Sequence, residues 1–318
     1  MKKVFVFRLF FALFFSSFSA SAQSPTDGLM MPKGSFCNLV SYSSSSWDNY
    51  WEGENKRSNT NLGTFTSQNV MYMGALGLTD KLNVMVGLPY IKTSASASYL
   101  SGQSGLQDLS AWLKYRIVEK QGNFGDIKLF ATLGGSIPTT NYVADFLPFS
   151  IGLHTKTASG RLILNYSKSG FYLTAQGGAT LRSKVKIDRN SFIYNNKLYE
   201  SDKMPVPNAA DGSIALGFLN KRFQTAVSLD RFGCLSGDDI RYNDAPILTN
   251  KMASTSVNWF GRVNLGHLSL IVNAGKVLKG RNVGEATSFG GGILYWFPIF
   301  DKNKAETKWW AVDFRSNQ

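Results

Sequence analysis

The sequence predicts an all-β fold, a closed up-and-down barrel of antiparallel strands that crosses a membrane. From about residue 30 onward, segments that alternate apolar and polar residues recur, and the connections between them are alternately very short and long. Aromatic residues make up 14% of the chain, and many lie at the ends of these segments. A bilayer offers no water to unpaired backbone groups, so only helices and closed barrels cross it, and no stretch after residue 24 is apolar enough for a helix.

The first 22 residues have the three parts of a secretory signal peptide. A basic head is followed by an apolar stretch from Val4 to Phe18 and by a run of small residues that ends at Ala22. We expect cleavage before Gln23, because the apolar run is too short for a transmembrane anchor and ends in small residues. We assign residues 23–34 to an N-terminal segment that is a candidate plug, 35–299 to the barrel and 300–318 to a periplasmic tail.

Twelve segments have the roughly 9 to 11 residues that a transmembrane strand needs. In the third, Leu82, Val84 and Val86 fall on one face while Asn83 and Met85 fall on the other. Such alternation predicts a lipid-facing side and a lumen-facing side. The twelve segments begin near Ser35, Thr64, Lys81, Ser104, Gly125, Gly152, Phe171, Pro207, Phe223, Lys251, His267 and Ala286.

The connections favour a barrel over a soluble β-sandwich. Tight turns join strands 2 to 3, 6 to 7, 8 to 9 and 10 to 11, and the connection from strand 4 to 5 is only slightly longer. The long connections are Asn49 to Gly63, Ser96 to Gln103, Thr139 to Ile151, Asp188 to Val206 and Leu235 to Asn250. Outer-membrane barrels place short turns in the periplasm and long loops outside, whereas Greek-key connections would not alternate in this way. We therefore predict a barrel of the Gram-negative bacterial outer membrane.

Composition argues against several kinds of site. The formal net charge is +13, but the basic residues are spread along the chain without the dense block that tracks phosphates, so we expect no nucleic-acid partner. The glycine pairs and the triplet Gly290–Gly292 have no nucleotide fingerprint, and we expect no cofactor. His154 and His267 lack ligands at metal-binding spacing, and we expect no metal. Cys37 and Cys234 fall at opposite ends of the predicted barrel, too far apart for a disulfide.

Two stretches carry a family resemblance. Leu78–Leu82 leads to Leu88–Tyr90, and Gly105–Leu109 leads to Lys114–Arg116. They resemble the hairpin and strand motifs of the outer-membrane transporters named after the meta-pathway of phenol degradation. Lys81 replaces the usual arginine of the first motif, and Gln107 replaces the second glycine of the other.

The resemblance implies a function. That family is similar in outline to the fatty-acid and aromatic-hydrocarbon channels of the outer membrane, which implies passive uptake of small, hydrophobic or aromatic molecules. With twelve strands the pore should be narrow, or plugged by residues 23–34 or by a folded loop. The expected partners are membrane lipids, lipopolysaccharide or another outer-leaflet lipid, a small-molecule cargo and the barrel-insertion machinery.

Four charged residues are the candidate lumen or selectivity site. Asp108, Lys114 and Arg116 share one parity of strand 4, so all three should point into the lumen, and Arg262 belongs to the same set on strand 10. A lumenal acid near two bases is either an ion pair that braces the wall or part of a selectivity constriction.

Two other functions, and the chain end, need separate consideration. His267 and Ser269 have the spacing of an outer-membrane lipase pair, but they lie at a predicted periplasmic turn, so we expect no enzyme and no catalytic residue. The tyrosine-bearing segment Phe192 to Tyr199 leaves open a structural or loop-mediated binding barrel. The residues after Phe300 form either a periplasmic extension or a last strand that lies later than predicted.

Overall fold

The structure is a closed antiparallel barrel in which the first and last of twelve strands pair. The computed structural model describes residues 24–242 and 244–299, so the expected signal peptide and tail lie outside it. Pairing of β1 with β12 joins residues 35–46 to 287–298 and closes the sheet. The strands are β1 (Ser35–Trp47), β2 (Phe65–Gly77), β3 (Leu82–Ala95), β4 (Asp108–Lys120), β5 (Asp126–Pro138), β6 (Thr157–Lys168), β7 (Phe171–Arg182), β8 (Ala209–Leu219), β9 (Phe223–Cys234), β10 (Ala253–Leu265), β11 (Leu268–Arg281) and β12 (Thr287–Pro298).

The predicted fold class and strand count are confirmed. Neighbouring strands pair in chain order, and the short strand Ser104–Leu106 extends the β3 edge just before β4. The largest difference in position is at β6, which starts at Thr157 instead of near Gly152. Within the described residues, no helix is long and apolar enough to cross a bilayer.

Side chains alternate between the lipid-facing wall and the lumen. In β4, Leu113 is 49% exposed and Lys114 is 0% exposed, which is the contrast expected for one residue facing lipid and the next facing a filled interior. A β-bulge interrupts this pattern where the pairing with β5 shifts between Arg116 and Val118. The extra residue leaves Ile117 and Val118 both on the exposed wall and returns Glu119 to the lumen side.

The periplasmic turns are tight because their residues suit turn backbones. Ser169 and Gly170 join β6 to β7 with φ angles of 52° and 86°, the left-handed pair that a two-residue hairpin needs. In the turn between β2 and β3, the Thr79 hydroxyl oxygen accepts hydrogen bonds from the N–H groups of Lys81 (3.2 Å) and Leu82 (2.9 Å). These contacts keep strand register at the periplasmic end.

The outer loops pack together into a cap, which we call the outer cap. Its buried apolar cluster combines residues from the connections 139–156, 183–208 and 235–252: Ala144, Val185, Ile187, Phe192, Met204, Val206 and Leu248. A second contact runs from the strands to the loop 139–156, where the ring of Phe65 packs edge-on against Phe149 with centroids 5.7 Å apart. The outer loops therefore have an apolar core of their own.

Asp239 ties the loop 235–252 to the end of β11. Its carboxylate accepts hydrogen bonds from Arg281 Nε (2.8 Å) and Nη2 (2.7 Å) and from Asn282 Nδ2 (2.8 Å). The hydrogen bonds from Arg281 hold the pKa of Asp239 below its usual value of 3.8. A lowered carboxylate pKa stabilises the folded loop at pH values above the unfolded pKa, and this stabilisation is lost as the pH falls through the folded pKa.

We predict that the loop 235–252 loosens below about pH 3.8 while the barrel stays closed. Pepsin cleavage in this loop should rise several-fold between pH 4.5 and pH 2, after normalisation to an unstructured peptide. In the Asp239→Asn variant, pepsin should cleave this loop rapidly across the whole pH range. Asp244→Asn is the matched control, since the Asp244 carboxylate accepts a hydrogen bond from the adjacent Ala245 N–H, which an asparagine can also accept. A cleavage rate equal to that of Asp239→Asn would contradict the prediction.

Candidate functional site

The N-terminal segment, residues 24–34, lies inside the lumen and is held there by a buried lysine. Lys114 projects inward from β4 and is fully buried. Its Nζ donates to Asp27 Oδ1 (2.7 Å), to the Asp27 carbonyl oxygen (2.6 Å) and to the Ser24 carbonyl oxygen (3.1 Å). A buried ammonium group is tolerated only when it is paired and its donors are satisfied, and the segment supplies both the charge and the acceptors.

Asp27 also shapes the segment that carries it. Its carboxylate accepts hydrogen bonds from the backbone N–H groups of Ser24 (2.5 Å) and Leu29 (3.1 Å). Aspartate commonly stabilises turns by bonding to nearby backbone in this way. One carboxylate thus folds the segment and fixes it to the wall.

The wall is shaped to receive the segment. A Cβ at Gly77 would lie 2.0 Å from the Pro32 carbonyl oxygen, and a Cβ at Gly28 would lie 2.5 Å from the Asn165 side chain. Only glycine allows the N-terminal segment and the wall to approach each other so closely. Beyond these contacts, Met31 is buried with wall residues in an apolar cluster at the periplasmic end.

Two of the four predicted site residues, Lys114 and Arg262, are buried and project into the lumen from opposite walls. Arg262 projects inward from β10 and is 1% exposed. The Asp27 carboxylate attracts the Arg262 guanidinium electrostatically. Asp27 therefore forms an ion pair with Lys114 and contributes negative charge near Arg262 of the opposite wall.

The other two predicted site residues lie elsewhere in the lumen. Asp108 is at the outer end of β4, where its Oδ1 accepts a hydrogen bond from the Tyr142 hydroxyl (2.6 Å). Arg116 is near the periplasmic end and forms an ion pair with Glu119 (2.9 Å), whose carboxylate also lies 3.7 Å from Lys128 Nζ. The four residues therefore do not form one cluster, and Asp108 bonds a loop tyrosine instead of either neighbouring base.

A second lumenal ion pair spans three strands. Arg161 of β6 and Asp211 of β8 form a two-pronged contact with N–O distances of 2.6 and 2.9 Å. The strand between them presents Gly178, which is in register with both residues. A Cβ at Gly178 would lie 3.3 Å from Arg161 Cζ and 2.8 Å from the Gly160 carbonyl oxygen, so the missing side chain is what lets the pair meet.

A cavity of about 1610 Å³ occupies the part of the lumen that the N-terminal segment leaves open. It reaches the periplasmic turns at residues 121–125 and 168–170, and its described lining includes no residue of the outer cap. Its polar and charged lining includes Gln176, Asp211, Ser213, Ser228, Asp230, Arg231, Asn258 and Asn273, and its apolar lining includes Leu39, Met73, Phe260 and Ile271. Asp230 accepts hydrogen bonds from Ser228 Oγ (3.0 Å) and from Asn258. These mixed walls can contact molecules that have both apolar and hydrogen-bonding parts.

The residues that resembled a lipase pair have other contacts. The Ser269 hydroxyl is fully buried and donates to Asn264 Oδ1 (3.0 Å), and His267 Nδ1 lies 3.0 Å from the Trp296 carbonyl oxygen. His154 Nε2 lies 3.2 Å from the Thr140 carbonyl oxygen in an outer loop. Within the described part of the chain, no group of three or more His, Cys, Asp or Glu side chains could hold a metal ion.

Comparisons with known proteins support the architecture. No protein-family model matches the sequence, and no curated protein matches it. Among solved structures, the COG4313 outer membrane channel from Pseudomonas putida F1 superimposes with a TM-score of 0.65 at 19% identity, covering 87% of this chain and 100% of that chain. The predicted fold of an outer-membrane β-barrel is confirmed.

Two further structures are similar at a lower level. The translocator domain of the autotransporter NalP from Neisseria meningitidis has a TM-score of 0.45 at 11% identity, covering 82% of this chain and 88% of that chain. The TodX deltaS2S3 mutant monoaromatic hydrocarbon channel has a TM-score of 0.43 at 9% identity, covering 84% and 91%.

We predict that Gly178→Val destabilises the barrel by about 1 to 3 kcal/mol, because the added side chain overpacks the wall and separates Arg161 from Asp211. Urea unfolding in lipid vesicles, followed by tryptophan fluorescence, measures the effect. Gly177→Val is the matched control: the neighbouring residue faces outward, and its added Cβ would meet no atom nearer than 3.8 Å. Equal stabilities of the two variants would contradict the role assigned to Gly178.

Proposed function

We propose that this protein is an outer-membrane channel for passive uptake of small molecules, including hydrophobic or aromatic ones. The observation that carries the proposal is the 1610 Å³ lumenal cavity with mixed polar and apolar walls inside a closed barrel. A cavity of this size exceeds the roughly 300 to 1,000 Å³ of typical small-molecule sites, so it has room for a cargo together with water. We propose no enzymatic activity, since Ser269 is fully buried.

The sequence motifs support assignment to the transporter family named after the meta-pathway of phenol degradation. Both motifs lie where the barrel needs them: the Thr79 hydroxyl orders the periplasmic turn, and Lys114 is the residue that holds the N-terminal segment. The barrel-insertion machinery is a further proposed partner, as for any chain of this fold.

The N-terminal segment is the proposed plug of the channel. Its position is set by Asp27, by the close contacts that Gly28 of the segment and Gly77 of the wall allow, and by a hydrogen bond from Thr132 Oγ1 to the Pro25 carbonyl oxygen (3.1 Å). It shares the lumen with the cavity, since Ser24, Thr26, Asp27, Gly28 and Leu29 form part of the cavity lining. Moving the segment would therefore widen the route for cargo.

The function is tested by liposome swelling and planar-bilayer conductance. Proteoliposomes should swell in small neutral solutes, and swelling should fall as solute size increases. Deletion of residues 24–33 should raise both the conductance and the size limit. If neither the full chain nor the deletion variant passes any solute, the channel proposal is wrong; if both pass solutes equally, the plug proposal is wrong.

We predict that Asp27→Asn releases the N-terminal segment and raises conductance several-fold. The change leaves Lys114 buried without its counter-charge, and breaking a buried ion pair costs about 3 to 5 kcal/mol. Because Asp27 is 24% exposed, the effect here should be smaller, about 1 to 3 kcal/mol. Asp80→Asn, in an exposed periplasmic turn, is the matched control and should keep wild-type conductance. Unchanged conductance in Asp27→Asn would contradict the prediction.

A loop-binding barrel is the second candidate function. The segment Phe192–Tyr199 forms a small hairpin in which the rings of Phe192 and Tyr199 stack at 5.5 Å. Leu198, which pairs with Ile193 in this hairpin, is an apolar residue that is 64% exposed. Deletion of residues 190–200 should abolish binding of cells to a partner surface if this function holds. Binding that survives the deletion would argue against it.

A further inference from the structure

A groove of about 610 Å³ lies on the lipid-facing wall, on the opposite side of the sheet from the cavity. Its floor contains Gly177 and Gly212, which face outward and pair directly across β7 and β8. Larger apolar side chains, including Leu162, Ile214 and Leu229, form its sides. Two adjacent missing side chains therefore leave a depression in an otherwise continuous apolar surface.

A row of basic residues extends from one end of this groove. Gly212 of β8 pairs with Arg231 of β9, Arg231 pairs with Thr255 of β10, and Thr255 pairs with Lys279 of β11. These four residues therefore form one outward-facing line across the four strands. Arg231 Nη1 donates to Thr255 Oγ1 at 2.5 Å. Lys276 lies on the next row toward the periplasm, opposite Val257.

These three cations have no acidic partner in the described part of the chain. All three are exposed. A cation on the lipid face is strongly unfavourable at the middle of a bilayer, and the cost falls near the interfaces. At an interface, clustered lysine and arginine residues attract anionic lipid headgroups.

The three cations Arg231, Lys276 and Lys279 lie at the level of the outer membrane–water interface. Arg231 lies three residues before the outer end of β9, and Lys279 lies two residues before the outer end of β11. By contrast, the outward-facing Lys120 and Lys168 lie at the periplasmic ends of their strands. A headgroup bound by Arg231, Lys276 and Lys279 therefore belongs to the outer leaflet.

We propose that this surface binds a phosphorylated, acylated glycolipid of the outer leaflet, of the lipid A type found in lipopolysaccharide. An acyl chain lies in the groove over Gly177 and Gly212, and phosphate oxygens accept hydrogen bonds from Arg231, Lys276 and Lys279. Three uncompensated positive charges match a ligand with more than one phosphate and do not match a zwitterionic phospholipid. This site lies on the lipid-facing side of the wall, although Arg231 and Gly212 also border the lumenal cavity, and it goes beyond the proposed transport function.

Binding is tested by native mass spectrometry of the full chain in detergent, with bisphosphorylated lipid A as the probe. Dephosphorylated lipid A and phosphatidylglycerol are the comparison lipids. The wild-type protein should retain bisphosphorylated lipid A at least ten-fold better than either comparison lipid. The triple variant Arg231→Gln, Lys276→Gln, Lys279→Gln should lose at least ten-fold of this binding. Lys120→Gln with Lys168→Gln, which removes outward lysines at the other interface, should bind as the wild type does.

A second variant tests the groove without changing any charge. Gly177→Leu places a side chain over the floor of the groove, where its Cβ has room, and should weaken lipid A binding several-fold. Folding of every variant is checked by heat-dependent migration in gels, and Gly177→Leu alone carries the test if the triple variant does not fold. Wild-type binding by either folded variant would overturn the proposal. Equal binding of lipid A and phosphatidylglycerol would overturn it too.

Discussion

Hydrogen-bond closure between β1 and β12 is the constraint on which the rest of the structure depends. If these strands separated, their backbone N–H and C=O groups would face lipid without partners, at a cost of several kcal/mol for each group. Twelve in-register pairs prevent this by joining residues 35–46 to 287–298. Closure also fixes the size of the lumen, and twelve strands enclose more space than wall side chains fill by themselves. Part of the chain is available to occupy the remainder.

The buried lysine makes that filling specific. An apolar wall would accept many peptides, but Lys114 needs a carboxylate and carbonyl oxygens at defined positions, and the N-terminal segment provides them through Asp27 and Ser24. Arg262, a second buried cation on the opposite wall, also favours negative charge in the segment. A buried group of this kind adds little net stability, because desolvation offsets most of the attraction. Its consequence is a unique position for the segment, which leaves the cavity along one side of the lumen.

The sequence was sufficient to predict the barrel because alternation is a local signal. All twelve strands were located from period-two patterns, and β6 was misplaced by five residues because residues 152–156 belong to the loop whose Phe149 and Ile151 are buried at the outer end. Parity placed Lys114 and Arg262 in the lumen, but parity gives no information on partners. Asp27 lies before the first strand, so no periodic pattern connects it to Lys114 at a separation of 87 residues. Arg161 and Asp211 were missed for the same reason: their contact depends on the strand that lies between them.

The glycine pair at Gly177 and Gly178 has consequences on both sides of the sheet. Successive residues of a strand face opposite sides, so Gly178 opens space for the lumenal pair Arg161–Asp211 while Gly177 lowers the floor of the lipid-facing groove. Gly212, paired with Gly177, lines both the groove and the cavity, as do Gln176, Ser213 and Arg231. At Gly177, Gly178 and Gly212 the wall consists of the sheet backbone alone, since glycine places no side chain on either face. Interactions on the lipid side and in the lumen are therefore separated by a single layer of hydrogen-bonded peptide groups.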